Sequence, residues 1–136
     1  RDLVSTHQLD DDIIFIDRYI PNNEVANYFN ASDMVVQPYR SATQSGVTQV
    51  AYHFGKPMLV TNVGGLPEIV AHQKAGYVCE PEPESISEAI LDFYDQERKS
   101  NFEDFVKKEK ERFAWHHFTR LFYELKTETD DKKHSR

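Results

Sequence analysis

Residues 55–70, Gly-Lys-Pro-Met-Leu-Val-Thr-Asn-Val-Gly-Gly-Leu-Pro-Glu-Ile-Val, combine a predicted strand, a turn and the start of a helix. The run 58–61 is short, apolar and continuous, which is typical of a strand covered on both faces. The glycine pair 64–65 favours a turn, and Pro67 is typical of the first helical positions. Strand, turn and helix in this order form the repeating unit of an α/β fold.

The same alternation continues on both sides of this stretch. Similar apolar runs at 13–16, 34–36 and 77–79 predict three more strands. Between them, helical spacing of apolar residues predicts one helix that begins at an asparagine cap in Asn22-Asn23 and another that ends at Gly55. The sequence therefore predicts an α/β fold, a Rossmann-like parallel sheet of about four strands with flanking helices.

After the last predicted strand the pattern is helical only. Apolar stripes over 86–94, 102–106 and 115–125 predict three helices, the last containing Trp115. Residues 127–136 contain no large apolar side chain. We therefore expect a single α/β domain over residues 1–126 and a charged, frayed tail over 127–136.

Composition excludes several classes of function. The 136 residues carry a net charge of −7, which argues against a nucleic-acid partner held mainly by phosphate attraction. No apolar run is long enough for a transmembrane helix, and the first residues do not resemble a secretory signal. The single cysteine, Cys79, lies in an apolar run and is expected to be a buried small hydrophobe in a cytoplasmic protein.

The loop from 37 to 47 is the strongest candidate for a binding site, because it joins the carboxyl end of a predicted strand to a helix N-terminus. Free N–H groups there suit an anion such as a phosphate, and a nearby arginine adds a charge-assisted contact. The alternative is a plain loop in which Ser45 only caps the helix. The candidate residues are Arg40, Thr43, Gln44, Ser45, Gly46 and Val47.

Two weaker candidates follow other predicted strands. The glycine pair 64–65 permits close passage of a ligand, or is simply a tight turn before a helix. Arg18, Tyr19 and Ile20 follow the first predicted strand, where they could flank a flat ring or pack on their neighbours. No dinucleotide fingerprint, phosphate-binding P-loop, serine-nucleophile elbow or paired metal-ligand motif is present, so no cofactor or metal is expected.

Read in order, these segments resemble the C-terminal, donor-binding domain of retaining glycosyltransferases of the group 1 family, which have the GT-B fold. The resemblance is carried by residues 12–21, 31–39 and 76–81, and most closely by 55–70. It implies that Arg18, Tyr19 and Ile20 flank the nucleotide base. It also implies that residues 44–47 hold the diphosphate and sugar.

The resemblance has two departures. The family carries two glutamates that contact the donor sugar and the ribose, and these positions fall here on Ala42 and Val50. Neither side chain accepts a hydrogen bond. The family's first two strand–helix units of this domain, with their basic residues, and its N-terminal acceptor domain are not in this sequence. We therefore expect a fragment that is inactive alone.

The resemblance implies a parent hexosyltransferase-type enzyme that transfers a sugar from a nucleoside diphosphate sugar to an acceptor hydroxyl with retention, as in polysaccharide biosynthesis. The donor is a substrate, and no cofactor is implied. The expected partners are this donor, the N-terminal domain of the same enzyme and, through exposed strand edges, a second copy. The expected location is cytoplasmic, with peripheral attachment of the parent to the inner membrane face as a variant.

Two alternatives remain open at this point. The loss of both glutamates favours a non-catalytic α/β interaction module that uses the same loops to bind a protein. A nucleotide-sugar epimerase-like domain would share the fold but not the chemistry. The polar loop at 37–47 favours a small anionic ligand over a protein surface.

Overall fold

The computed structural model describes residues 1–112, with a parallel three-stranded sheet at the centre. The strands are β1 (Val35–Gln37), β2 (Met58–Thr61) and β3 (Gly76–Cys79), in the order β1-β2-β3. The helices are α1 (Asp2–Thr6), α2 (Asn22–Ala31), α3 (Gly46–His53), α4 (Leu66–Ile69), α5 (Pro83–Asp95) and α6 (Lys99–Arg112). All four residues of β2 are buried, as expected for a central strand covered on both faces. The predicted α/β class is confirmed.

The prediction of about four strands is wrong by one, because residues 13–16 are not in the sheet. The N–H of Ile13 donates to the Leu9 carbonyl at 3.1 Å, and Ile14 is 86% exposed. A strand is stable only when its backbone N–H and C=O groups form hydrogen bonds with an adjacent strand. In the described part of the chain no strand pairs with residues 13–16. Apolar composition predicts burial but does not show that a pairing strand exists.

Side chains of alternate strand residues enter two separate cores. Met58 and Val60 contact Ala51 and Tyr52 of α3 and Val106 of α6 on one face of the sheet. The other core consists of Leu59, Tyr77, Cys79, Ala89, Phe93 and Phe102, which joins the sheet to α5 and the start of α6. This period of two follows from the opposite directions of successive side chains along a strand. The two cores hold the carboxyl ends of β1 and β2 at one fixed edge.

The helix ends agree with the sequence in one case and differ in another. Gly55 follows α3 with φ 66°, and the next N–H, that of Lys56, donates to the Ala51 carbonyl at 2.9 Å, so the predicted glycine end is confirmed. The predicted asparagine cap is wrong, since Pro21 is the N-cap, with φ −68° and ψ 151°, and no side chain caps α2. The proline ring fixes φ alone, at a value that a helix start accepts, and Asn22 becomes the first helical residue.

Three further predictions concern single positions or the chain end. Cys79 is buried as expected, and this burial raises the pKa of its thiol. The predicted helix around Trp115 and the tail at 127–136 lie outside the described residues. None of the helices within residues 1–112 has the length and apolar character that crossing a bilayer requires.

Candidate functional site

The loops that follow β1 and β2 are joined to each other by hydrogen bonds at the carboxyl edge of the sheet. Thr61 Oγ1 donates to the Tyr39 carbonyl at 2.5 Å, and the Gly65 N–H donates to the Thr43 carbonyl at 2.9 Å. Thr61 is fully buried, so its hydroxyl needs this partner. These two bonds fix the loop 38–45 against the turn that precedes α4.

The glycine pair 64–65 packs against backbone. Gly64 has φ 52°, and a Cβ atom there would lie 1.7 Å from the Ala42 carbonyl oxygen. A Cβ on Gly65 would lie 3.0 Å from the Thr43 carbonyl oxygen. The pair was expected either to let a ligand pass close to the backbone or to form a tight turn before a helix. The structure shows the tight turn, in which the backbone of the neighbouring loop packs against the two glycines.

An open cleft of about 780 Å³ lies between this loop and the helices α2 and α3. Most of its lining belongs to the predicted binding loop, and the rest belongs to one face of α2 and the first turns of α3. The lining residues are Val25, Phe29, Tyr39, Ser41, Ala42, Thr43, Gln44, Ser45, Gly46, Val47 and Val50. The structure thus brings Thr43, Gln44, Ser45, Gly46 and Val47 together at one cavity.

The N-terminus of α3 forms one end of the cleft. Ser45 is the N-cap, and its Oγ accepts the Val47 N–H at 3.2 Å. The Val47 N–H is therefore not free, contrary to the expectation for this residue. In the part of the chain that the structure describes, the N–H groups of Gln44, Ser45 and Gly46 make no hydrogen bond. Three unpaired donors at the positive end of a helix dipole suit an anionic group.

The Ser45 hydroxyl also connects the helix to the sheet. Ser45 Oγ donates to Gln37 Oε1 at 2.6 Å, and Thr48 Oγ1 donates to the Ser45 carbonyl at 2.5 Å. Gln37 and Thr48 are both buried. Ser45 therefore caps α3, as the plain-loop alternative expects. Its hydroxyl also forms a hydrogen bond with Gln37, a buried polar side chain of β1.

The cleft lining contains no charged side chain among the described residues. Ala42 and Val50, which occupy the two glutamate positions of the resemblance, both line it. Val25 and Phe29 add two further apolar side chains to the lining. A ligand hydroxyl in the cleft therefore finds its partners among backbone groups and the neutral side chains of the loop.

Arg40 and the 18–20 segment are not part of the cleft lining. Arg40 is exposed and has no ion pair within residues 1–112, and its chain neighbours Tyr39 and Ser41 both line the cleft. Its long side chain is free to reach a bound anion.

The predicted ring-binding segment is occupied by internal contacts. Arg18 Nη2 donates to Glu24 Oε2 at 2.5 Å, and this hydrogen bond with the carboxylate raises the pKa of the guanidinium. Arg18 also lies 3.4 Å from the Tyr28 hydroxyl, whereas Tyr19 is 80% exposed and Ile20 is partly buried. The structure does not bring these three residues to the cleft that residues 43–47 line.

Sequence reasoning missed three contributors to this site. Val25 and Phe29 have helical spacing, which predicted a helix but no site, and they line the cleft. Gln37 is 3% exposed and contacts Ser45. Its signal was a polar residue at the end of an otherwise apolar run, Val-Val-Gln-Pro.

Comparisons with known proteins agree with this architecture. A family model described as glycosyl transferases group 1 matches residues 1–96. The trehalose phosphorylase of Grifola frondosa is 40% identical over 48 residues, which are 35% of this chain and 7% of that protein. The D-inositol 3-phosphate glycosyltransferase of Paenarthrobacter aurescens is 29% identical over 94 residues, which are 68% of this chain and 23% of that protein. The match thus spans less than a quarter of either relative.

Solved structures show the same fold. Sucrose-phosphate synthase from Thermosynechococcus elongatus superposes with a TM-score of 0.78 at 21% identity, over 96% of this chain and 33% of that one. The C-terminal domain of a group 1 family glycosyl transferase from Francisella tularensis gives a TM-score of 0.67 at 22% identity, over 79% of this chain and 56% of that one. Family match and fold lead to one conclusion: the chain belongs to the group 1 glycosyltransferases.

Proposed function

We propose that the cleft at the N-terminus of α3 binds the nucleoside diphosphate sugar donor of a retaining glycosyltransferase. The observation that carries this proposal is that the N–H groups of Gln44, Ser45 and Gly46 make no hydrogen bond within residues 1–112, at the end of a cleft of about 780 Å³. That volume is in the range of small-molecule sites. The three N–H groups favour an anionic group such as the diphosphate, and the cleft has room for the sugar and the nucleoside.

In this function the residues of the chain bind and orient the donor. The N–H groups and the α3 dipole stabilise the negative charge that grows on the diphosphate as it leaves. Arg40 adds its positive charge from the rim. The bond between the anomeric carbon and the diphosphate oxygen breaks, and a bond to the acceptor oxygen forms on the same face. The diphosphate leaves with the electron pair, and its departing oxygen accepts the proton of the acceptor hydroxyl.

The complete activity belongs to a parent enzyme. An acceptor-binding domain of the same protein supplies the other side of the reaction, and this chain alone is expected to bind the donor without turnover. Arg18, Tyr19 and Ile20 are proposed to flank the base. For this, the Arg18 guanidinium leaves the Glu24 carboxylate and contacts the ligand instead. No cofactor is required, since the donor itself carries the activated sugar. We propose a cytoplasmic setting, where nucleotide sugars are available.

One observation favours a second candidate function, a non-catalytic interaction module. Ala42 and Val50 leave the cleft without a carboxylate. Their small apolar side chains would suit a protein segment with an acidic residue at the helix N-terminus. The two functions differ in their ligand, so a nucleotide titration separates them.

The test is a calorimetric and NMR titration of the chain with UDP, GDP, ADP and their sugars, repeated with Gly46→Val. A Cβ atom at Gly46 meets nothing within 4 Å, so the variant keeps the fold while its side chain blocks close approach to the N–H groups. We expect saturable binding of one nucleotide with shifts at 44–46, lost in Gly46→Val and kept in the surface control Ser87→Val. Absence of binding to every nucleotide, or equal binding by Gly46→Val, contradicts the proposal.

A further inference from the structure

Gln37 is a buried polar side chain with one unsatisfied end. It ends β1 at 3% exposure, and its Oε1 accepts the Ser45 hydroxyl at 2.6 Å. Its Nε2 is buried and has no hydrogen-bond partner in the structure as described. An unpaired buried amide N–H is unfavourable, so a native protein keeps one for a reason.

The single hydrogen of the Ser45 hydroxyl is committed in this arrangement. It points to Gln37, while the oxygen accepts the Val47 N–H. The hydroxyl therefore cannot donate into the cleft, although Ser45 lines it. At the N-terminus of α3 the Ser45 hydroxyl hydrogen is thus turned towards the sheet.

Rotation of the Gln37 amide by 180° exchanges these roles. The two ends of a carboxamide have nearly the same size, so the rotation exchanges Oε1 and Nε2 with little movement of other atoms. Nε2 then donates to Ser45 Oγ and is no longer unpaired, and Oε1 becomes the unsatisfied atom instead. The hydroxyl hydrogen is released and can turn to an anion in the cleft. The two orientations each leave one amide atom without a partner, so a bound anion decides between them.

We infer that Gln37 is a positioning residue: by turning its amide it delivers the Ser45 hydroxyl hydrogen to the diphosphate of the ligand. This inference rests on the proposed function, which places that diphosphate at the N-terminus of α3. A hydrogen bond to a charged oxygen is stronger than the neutral bond it replaces, so the exchange is favourable only when the anion is bound. Gln37 acts through Ser45 and does not touch the ligand.

The direct test follows the Gln37 side-chain amide by NMR in the ¹⁵N-labelled chain, its signals assigned by their loss in Gln37→Met. We expect saturating nucleoside diphosphate to move one Nε2 proton downfield as it becomes bonded to Ser45, and the corresponding nucleoside to leave it unmoved. In Ser45→Ala the diphosphate should produce no such shift. An amide signal that does not respond to bound nucleoside diphosphate overturns the inference.

A double-mutant cycle tests the same step through affinity. Methionine is close to glutamine in size and offers no strong donor or acceptor, so in Gln37→Met nothing holds the Ser45 hydrogen towards the sheet. We expect Ser45→Ala to weaken nucleoside diphosphate binding roughly tenfold both when residue 37 is Gln and when it is Met, because the turned amide leaves the hydrogen available to the anion. An effect of Ser45→Ala below about twofold with Gln at residue 37, beside a roughly tenfold effect with Met, overturns the inference.

The outcomes also separate this inference from the proposed function. If the unaltered chain binds no nucleotide, the proposed function fails and the inference fails with it. If the chain binds a nucleoside diphosphate but the Gln37 amide stays still, the inference alone fails. Gln96→Met, an exposed glutamine at the end of α5, serves as the matched control and should change neither affinity nor the Gln37 signal.

Discussion

Gly64→Ala should destabilise the protein strongly, because two separate features of the turn require glycine. The backbone there has φ 52°, which costs an alanine about 1–2 kcal/mol. In addition, the new Cβ would lie 1.7 Å from the Ala42 carbonyl oxygen, so the neighbouring loop must move. That movement breaks the bond from the Gly65 N–H to the Thr43 carbonyl, which contributes about 1 kcal/mol. We expect a total loss of about 2–3 kcal/mol.

The assay is urea unfolding of the variant beside two glycine controls. Gly65 has φ −87°, and its Cβ would meet the Thr43 oxygen at 3.0 Å, so Gly65→Ala should cost less than Gly64→Ala. Gly46→Ala meets no atom within 4 Å, and its free energy of unfolding should stay within about 1 kcal/mol of the unaltered chain. An unfolding free energy for Gly64→Ala equal to that of the unaltered chain would refute the backbone-packing role of this turn.

Two further predictions concern pH. Tyr77 donates its buried hydroxyl to Asp92 at 2.6 Å, and burial followed by this bond raises the pKa of Tyr77. The stabilisation from this hydrogen bond is therefore complete below pH about 10 and is lost as pH rises beyond it. Tyr77→Phe should be less stable than the unaltered chain by about 1 kcal/mol at pH 7. Between pH 9 and 12 the variant should lose less stability than the unaltered chain. Equal alkaline profiles would contradict this. The bond from Lys99 lowers the pKa of Asp33, so this pair stabilises above pH about 4 and is lost on acidification. The free energy of unfolding of Asp33→Asn should be lower than that of the unaltered chain at pH 7 and equal to it by pH 2. A difference between the two that does not change with pH would rule out the ion pair as its cause.

Local sequence patterns determined the elements that depend on near neighbours in the chain. The glycine end of α3 and the Ser45 cap were predictable, because they follow from backbone sterics and from a hydrogen bond across two residues. The strand at 58–61 was predictable from its continuous apolar run, which suits burial on both faces. The cleft-lining role of 43–47 also followed from the order of strand and helix, since ligands gather at the carboxyl edge of a parallel sheet.

Tertiary structure alone decided the features that join distant parts of the chain. Residues 13–16 have the composition of a strand but no strand to pair with in the described structure, and composition does not reveal a partner. The contact of Gly64 with Ala42 and the bond between Gln37 and Ser45 depend on how β1, β2 and α3 pack against each other. Such contacts have no local periodicity, because the chain brings the partners together only when the sheet has formed.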